Sequence, residues 1–144
     1  MFKLRSSTKQ DLARILDIWR SAVDATHDFL TREDRVSIEA EVVSFFPNVN
    51  FVLATDEDDV AQGFMFLHDG HLEALFVAPE KHGMGIGAML IHAALRDHPG
   101  LTTDVNEQNQ GALTFYEHLG FERTGRSSVD GQGRPYPLIH LRHR

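Results

Sequence analysis

The chain has 144 residues, 42% hydrophobic and 24% charged, enough for one globular domain whose core needs no metal or disulfide staple. The absence of cysteine excludes disulfides, thiolate metal sites and a cysteine nucleophile. A formal net charge of −7 argues against binding nucleic acid, which needs a basic face, and serves solubility or a cationic acceptor equally well.

Met1 to Arg5 carries charge where a signal peptide would be apolar, and the longest purely apolar run, Ala74 to Ala78, is too short to span a bilayer. A cytoplasmic protein without membrane association is therefore expected. No repeat, low-complexity tract or linker interrupts the sequence, so one domain over 1–144 is the expectation.

Phe2 to Ser6 reads as a first strand. Thr8 and Asp11 have the spacing of a capping box and open a helix with Leu12, Ile15, Leu16, Trp19 and Val23 on one face. Asp24 to Leu30 breaks that pattern. A second capping box, Thr31 with Asp34, starts another helix that stops near Pro47. Phe51 to Thr55 and Val60 to Leu67 read as strands around an acidic turn, and Asp69 with Gly70 is a hairpin signal leading into a strand from His71 to Val77. Pro79 ends that strand. After Gly83, Gly85 and Gly87 comes a helix with Ile86, Met89, Leu90, Ala93 and Ala94 inward. Leu101 to Val105 is a strand, and Asn109 caps a helix that closes at Gly120. Strands near Phe121 to Ser128 and Pro137 to Leu141 flank a turn at Asp130 to Gly133.

The order βααβββαβαββ is that of an α/β chain of the mixed, α+β kind. It predicts a twisted mixed sheet with helices on both faces, in which the strand–helix–strand crossover of residues 71–105 makes one parallel pair.

A strand, a glycine-rich loop and a helix start suit a phosphate, because the first helical N–H groups have no partner within the helix and glycine admits close approach. Three glycines alone are weak evidence. Gly83, Gly85 and Ala88 also fit a permissive dinucleotide-binding pattern, with Asp104 about where a ribose-binding acid stands. A preceding hairpin and the shortness of the chain beyond count against that rival. No Lys-Ser or Lys-Thr pair follows the glycines, so the Walker pattern fails.

The stretch Leu75 to Gly87 resembles the pyrophosphate-binding segment of the GNAT acetyltransferases, whose pattern is Gln or Arg, two residues, Gly, any residue, then Gly or Ala. Asn106 to Phe121, with Asn109, Phe115, Tyr116 and Gly120, resembles the family's second diagnostic stretch, at the right distance. Asp24 to Leu30, Gly125 to Ser127 and Arg134 to Pro137 resemble more narrowly its bacterial YjaB-type branch, described as protein-lysine acetyltransferases. His82 departs from the pattern, standing where the family has Gln or Arg.

The resemblance implies an N-acetyltransferase that moves the acetyl group of acetyl-CoA directly to a primary amine, on a small molecule or a protein lysine. It implies that Leu75, Phe76 and Val77 meet the pantetheine arm, with the Val77 N–H as oxyanion donor. His82, Gly83, Met84, Gly85, Ile86, Gly87 and Ala88 would hold the pyrophosphate, and Asn106 and Asn109 the pantetheine end. Asn109 can cap its helix at the same time. Tyr116 stands at the position of the general acid. A phenol near pKa 10 would give its proton to a thiolate near 8.5 uphill by roughly 2 kcal/mol, so a hydrogen bond to the departing sulfur is expected. His71 and Glu73, two apart on one strand, face one side and are the candidate bases; either is equally readable as a solvated surface group. His27 and Asp28 lie where the family builds its acceptor wall.

Nine histidines invite a zinc reading, but no His-Glu-x-x-His occurs, and His140 and His143 would point to opposite faces of a strand, so no metal is expected. Two other classes stay open at this stage: a catalytically silent CoA-binding sensor or interaction module, and a nucleotide-dependent oxidoreductase. Monomer and homodimer are both compatible with the sequence.

Overall fold

A computed structural model of the protein describes residues 1–144. Along the chain run β1 (Lys3–Ser6), α1 (Leu12–Thr26), α2 (Arg32–Phe45), β2 (Val52–Thr55), β3 (Ala61–His68), β4 (His71–Val77), α3 (Ile86–Asp97), β5 (Thr102–Asn106), α4 (Gln110–His118), β6 (Phe121–Ser127) and β7 (Leu138–His143). This is the element order expected from the sequence. The seven strands form a mixed sheet in the order β1-β2-β3-β4-β5-β7-β6. β4 and β5 are parallel, and β1–β2, β2–β3, β5–β7 and β6–β7 are antiparallel. The chain divides into two compact units, residues 1–66 with 74–91, and residues 67–73 with 92–144.

In the first unit, helix α1 buries Ile15, Ile18, Trp19, Ala22 and Val23. Ile15, Ile18, Trp19 and Val23 share a core with Phe46, Phe51, Leu53 and Phe64, against which Leu12, Leu16 and Phe76 also pack. The rings of Phe46, Phe51 and Phe64 meet edge to face at 5.0 to 5.9 Å, the geometry their quadrupoles favour. α1 continues through Asp24 to Thr26, beyond the expected break. It ends when the Thr26 hydroxyl donates to the Ala22 carbonyl at 2.7 Å and His27 leaves helical geometry at φ −114°, ψ 49°. α2 begins as predicted, with Thr31 Oγ1 accepting from the Asp34 N–H at 3.1 Å, but it buries no residue fully.

Helices reach both faces of the strands in this unit. Leu53 and Phe64 are cross-strand partners facing the α1 core, and Ala54 and Gly63 are the next pair, facing the other way. A Cβ on Gly63 would stand 2.8 Å from Ile86 Cγ2 and 3.3 Å from the Phe76 carbonyl oxygen. Only glycine therefore lets the start of α3 settle this closely on β3. α3 buries Ile86, Leu90, Ile91 and Ala94, whereas Met89 and Ala93 are only partly covered.

In the second unit, alternate residues of β5 and β7 are buried: Thr103 and Val105 pair with Leu141 and Ile139. From α4, Leu113 and Tyr116 are buried, and the Tyr116 ring meets Phe115 and Phe121 at 5.1 and 5.3 Å. Asn109 Oδ1 caps α4 by accepting from the Ala112 N–H at 3.2 Å, and Gly120 follows its end at φ 98°.

Near the N-terminus, Asp11 closes the expected box by accepting from the Thr8 N–H at 2.8 Å, within a single 3-10 turn that leads into α1. Arg5 adds a two-pronged hydrogen bond, both contacts 2.9 Å. That guanidinium, helped by the Thr8 N–H and hydroxyl, holds the Asp11 carboxyl down at about 2. A carboxyl depressed in the fold contributes stability above its unfolded value, about 3.9, and that contribution fades as pH falls through about 2. Asp11→Asn should therefore lower stability at pH 7 by roughly 1–2 kcal/mol, the scale of a charge-assisted hydrogen bond. Thermal melting from pH 7 downward should show the gap from wild type narrowing between about pH 4 and 2; a constant gap would assign the loss to packing instead.

Candidate active site

The sequence-predicted residues fall into two sets, one in each unit. In the first, β4 runs through Leu75, Phe76 and Val77 into the turn at Pro79–Lys81 and then the glycine loop. Phe76 points into the α1 core, its ring 5.6 Å from Phe64, while Val77 lies by Gly63 on the opposite face. Gly83 and Gly85 have φ of 81° and 83°, a left-handed conformation that other residues adopt only with strain. No atom lies within 4 Å of where a Cβ would stand on either. The Gly85 carbonyl accepts the Met89 N–H at 3.0 Å, so the Ile86, Gly87 and Ala88 N–H groups belong to the unpartnered first turn. The loop thus presents backbone donors at a positive helix end with open space beside them, a fit for a phosphate group. His82 is exposed alongside.

His27 is the C-cap of α1, and its Nδ1 lies 2.7 Å from Thr26 Oγ1. The Thr26 hydroxyl hydrogen is already given to Ala22, so His27 Nδ1 carries the donated proton. Burial lowers the pKa of His27 below the ordinary value, partly offset by Asp28. Asp28 itself is exposed.

The second set is centred on the parallel ladder His71↔Thr102 and Leu72↔Thr103. Alternation along both strands gives these pairs opposite faces. On the buried face, Thr103 donates to the Leu72 carbonyl at 3.0 Å and is hydrogen-bonded to Tyr116. Tyr116 is only 6% exposed, so its hydroxyl lies in the protein, away from the bulk water a surface tyrosine would reach. Burial pushes that phenol well above its ordinary value, with the Thr103 bond opposing in part. Full proton transfer from Tyr116 to a thiolate is accordingly steeper than the roughly 2 kcal/mol of a free phenol.

On the other face, His71 Nδ1 lies 2.7 Å from Thr102 Oγ1, and its Nε2 lies 3.3 Å from Asp104 Oδ2 and 3.8 Å from Glu73 Oε1. The two candidate bases are thus neighbours, both partly exposed, with a third carboxylate beside them. Asn106 closes β5 opposite Leu138, and Asn109 caps α4. Sequence reasoning did not group Thr103, Asp104, His140 and Ser127 with the site. Asp104 lies directly across from His140 in the β5–β7 register, a pairing that no local spacing announces. His143 instead bonds the Leu119 carbonyl at 2.8 Å, so the two histidines of β7 serve separate partners.

The fold and the glycine loop together define an acyl-CoA N-acyltransferase. The family model described as "Acetyltransferase (GNAT) domain" matches residues 25–135, and the chain belongs to the GNAT acetyltransferase family as an acetyl-CoA-dependent N-acetyltransferase. It is 46% identical to the peptidyl-lysine N-acetyltransferase YjaB of Salmonella typhimurium, over 98% of this chain and 97% of that one. The solution structure of apo-form YjaB from Escherichia coli superimposes with a TM-score of 0.95 at 44% identity, covering 99% of this chain and 97% of that one. The PaiA N-acetyltransferase of Thermoplasma acidophilum, solved in complex with coenzyme A, shares the fold, with a TM-score of 0.73 at 19% identity over 100% and 99% of the two chains.

If the loop holds a phosphate, Gly85→Glu should abolish thermal stabilisation by acetyl-CoA, since it sets bulk and negative charge in the open space. Gly85→Ala carries the same backbone strain without the charge and should retain part of the shift. A full shift in folded Gly85→Glu would make the loop purely structural.

Proposed function

We propose that the protein transfers the acetyl group of acetyl-CoA to the side-chain amine of a protein lysine, by direct attack and without a covalent enzyme intermediate. Membership of the GNAT family supports the reaction class, and the peptidyl-lysine activity in the names of the YjaB relatives supports the acceptor. The observation that supports the mechanism is the part-exposed His71 imidazole, with Thr102 Oγ1 at one ring nitrogen and the Asp104 and Glu73 carboxylates at the other, an environment that favours taking up a proton.

Overall the amine forms an N–C bond, the thioester C–S bond breaks, and one proton is released to solvent. A lysine ammonium has a pKa of about 10.4 and must lose a proton before it can attack. His71, with Glu73 at 3.8 Å, receives that proton on the exposed face. On the acetyl-CoA side, the main chain of Leu75, Phe76 and Val77 lines the pantetheine arm, and an N–H of this segment meets the charge developing on the carbonyl oxygen. Residues His82 to Ala88 hold the pyrophosphate, and Asn106 and Asn109 the pantetheine end. Tyr116 turns its hydroxyl hydrogen from Thr103 Oγ1 to the departing sulfur and donates a hydrogen bond there, without surrendering its proton in the transition state. His27 and Asp28 form part of the acceptor wall, with His27 neutral near pH 7 through burial. No helix is long and apolar enough to cross a membrane.

The test is incubation with acetyl-CoA and lysine-containing peptides, following thiol release and product mass. Acetylation of a lysine peptide but not its arginine counterpart is expected; thiol release only with small amines would reassign the acceptor. Acetyl-CoA at one hundred times its Kd should add about 2.7 kcal/mol of stability, and NAD none.

Tyr116→Phe keeps the ring between Phe115 and Phe121 and removes only the hydroxyl. The kcat should fall roughly ten- to a thousand-fold with little change in the KM for acetyl-CoA, since one placed donor is worth about 1.5–4 kcal/mol in a transition state. Full kcat, measured where chemistry limits turnover, would make the hydroxyl a structural partner of Thr103 alone.

A further inference from the structure

Asp104 is the one carboxylate on this face of the second unit that faces two imidazoles. Its Oδ1 lies 2.5 Å from His140 Nδ1, and its Oδ2 lies 3.3 Å from His71 Nε2. A carboxylate only accepts, so the His140 Nδ1 between them carries the hydrogen. His140 Nε2 then accepts from the Ser127 hydroxyl at 2.7 Å. The order is Ser127–His140–Asp104–His71, drawn from three neighbouring strands and β4.

The backbone is shaped to hold this row. His140 stands across from Asp104 on one side and from Gly125 on the other. The β6 register shifts between Arg123 and Gly125, and a Cβ on Gly125 would approach His140 Cδ2 to 3.4 Å. The ring thus lies against the Gly125 backbone, and Ser127, the diagonal neighbour, reaches Nε2.

We propose that Asp104, locked by His140 and Ser127, is the positioning residue for His71 in acetyl transfer. The proposal rests on the reading of His71 as the base. When His71 takes the amine proton it has two N–H groups, and each has an acceptor waiting: Thr102 Oγ1 at Nδ1, and Asp104 at Nε2 with Glu73 alongside. Neutral His71 needs only one of them. The arrangement therefore matches the protonated ring, the form that exists after proton uptake. His140 holds Oδ1, which keeps the Asp104 carboxylate in the rotamer that turns Oδ2 to His71, and the Ser127 hydroxyl fixes the His140 tautomer.

A double-mutant cycle tests this, with melting curves and the KM for acetyl-CoA as controls for folding and binding. Asp104→Asn should lower kcat roughly ten-fold in the wild-type background and cost nothing further in a His71→Ala background. His140→Ala should reproduce part of that loss, and His140→Asn, whose amide can still donate to Asp104, should restore part of it. Equal losses from Asp104→Asn in both backgrounds, or full kcat in the single variant, would overturn the proposal while leaving the base reading intact. Full kcat in His71→Ala would overturn both. Nitrogen-15 ring spectra of the neutral protein should show His140 protonated at Nδ1; an Nε2–H ring would break the lock. Covalent acetylation of Ser127 in intact mass would make that hydroxyl a nucleophile and likewise overturn its role as an anchor.

Discussion

Register in the parallel pair β4–β5 is the constraint on which the environments of the proposed reactive residues depend. With His71 opposite Thr102 and Leu72 opposite Thr103, Thr103 turns inward to Tyr116 and His71 turns outward beside Asp104. Because side chains alternate with a period of two, a slip of one residue would exchange these faces. The buried Leu72, Thr103, Val105, Ile139 and Leu141 forbid that slip, since it would expose them and bury His71 and Asp104. The apolar core thereby sets the chemistry of both faces.

Those faces are electrically unlike. Around Tyr116 are aromatic rings and one threonine, so a charged phenolate is strongly disfavoured and the hydroxyl remains a donor. Around His71 are a hydroxyl and two carboxylates in partial contact with water, acceptors suited to a cation. The proposed reaction takes one proton from an amine and steadies charge on a sulfur, and these surroundings suit His71 to the first task and Tyr116 to the second.

The glycine loop works by different physics. Its contribution is backbone rather than side chain: positive φ at Gly83 and Gly85, free N–H groups at the first turn of α3, and no Cβ in the way. Gly63 extends the same logic to β3, where the lost Cβ lets Ile86, and with it the start of α3, pack closely on the strand. The helix end is held by packing, so its amides are already oriented before any ligand arrives, which lowers the ordering cost of binding.

Local signals carried most of the fold. The Thr8–Asp11 box, the Thr31 cap on the Asp34 N–H, the Asp69–Gly70 hairpin, the Asn109 cap and the closing Gly120 are each written within a few residues, and each forms at its expected position. Ile18, Ala22 and Ile91 were less legible as core, because burial depends on how wide a stripe the neighbouring strands cover. The glycines and Tyr116 could be recognised as a pattern, and His71 and Glu73 by their period on one strand. What sequence could not supply was the environment of each. The Thr103 partner and the burial that raises Tyr116, and the meeting of Asp104 with His140 across 36 positions, exist only once β5, β7 and α4 have packed. Sequence by itself determined which elements form and where glycines give the backbone its left-handed turns, since both are set by short-range sterics and hydrogen bonding. Tertiary structure alone decided which side chains share protons, because strand register between distant segments brings their atoms within hydrogen-bond reach.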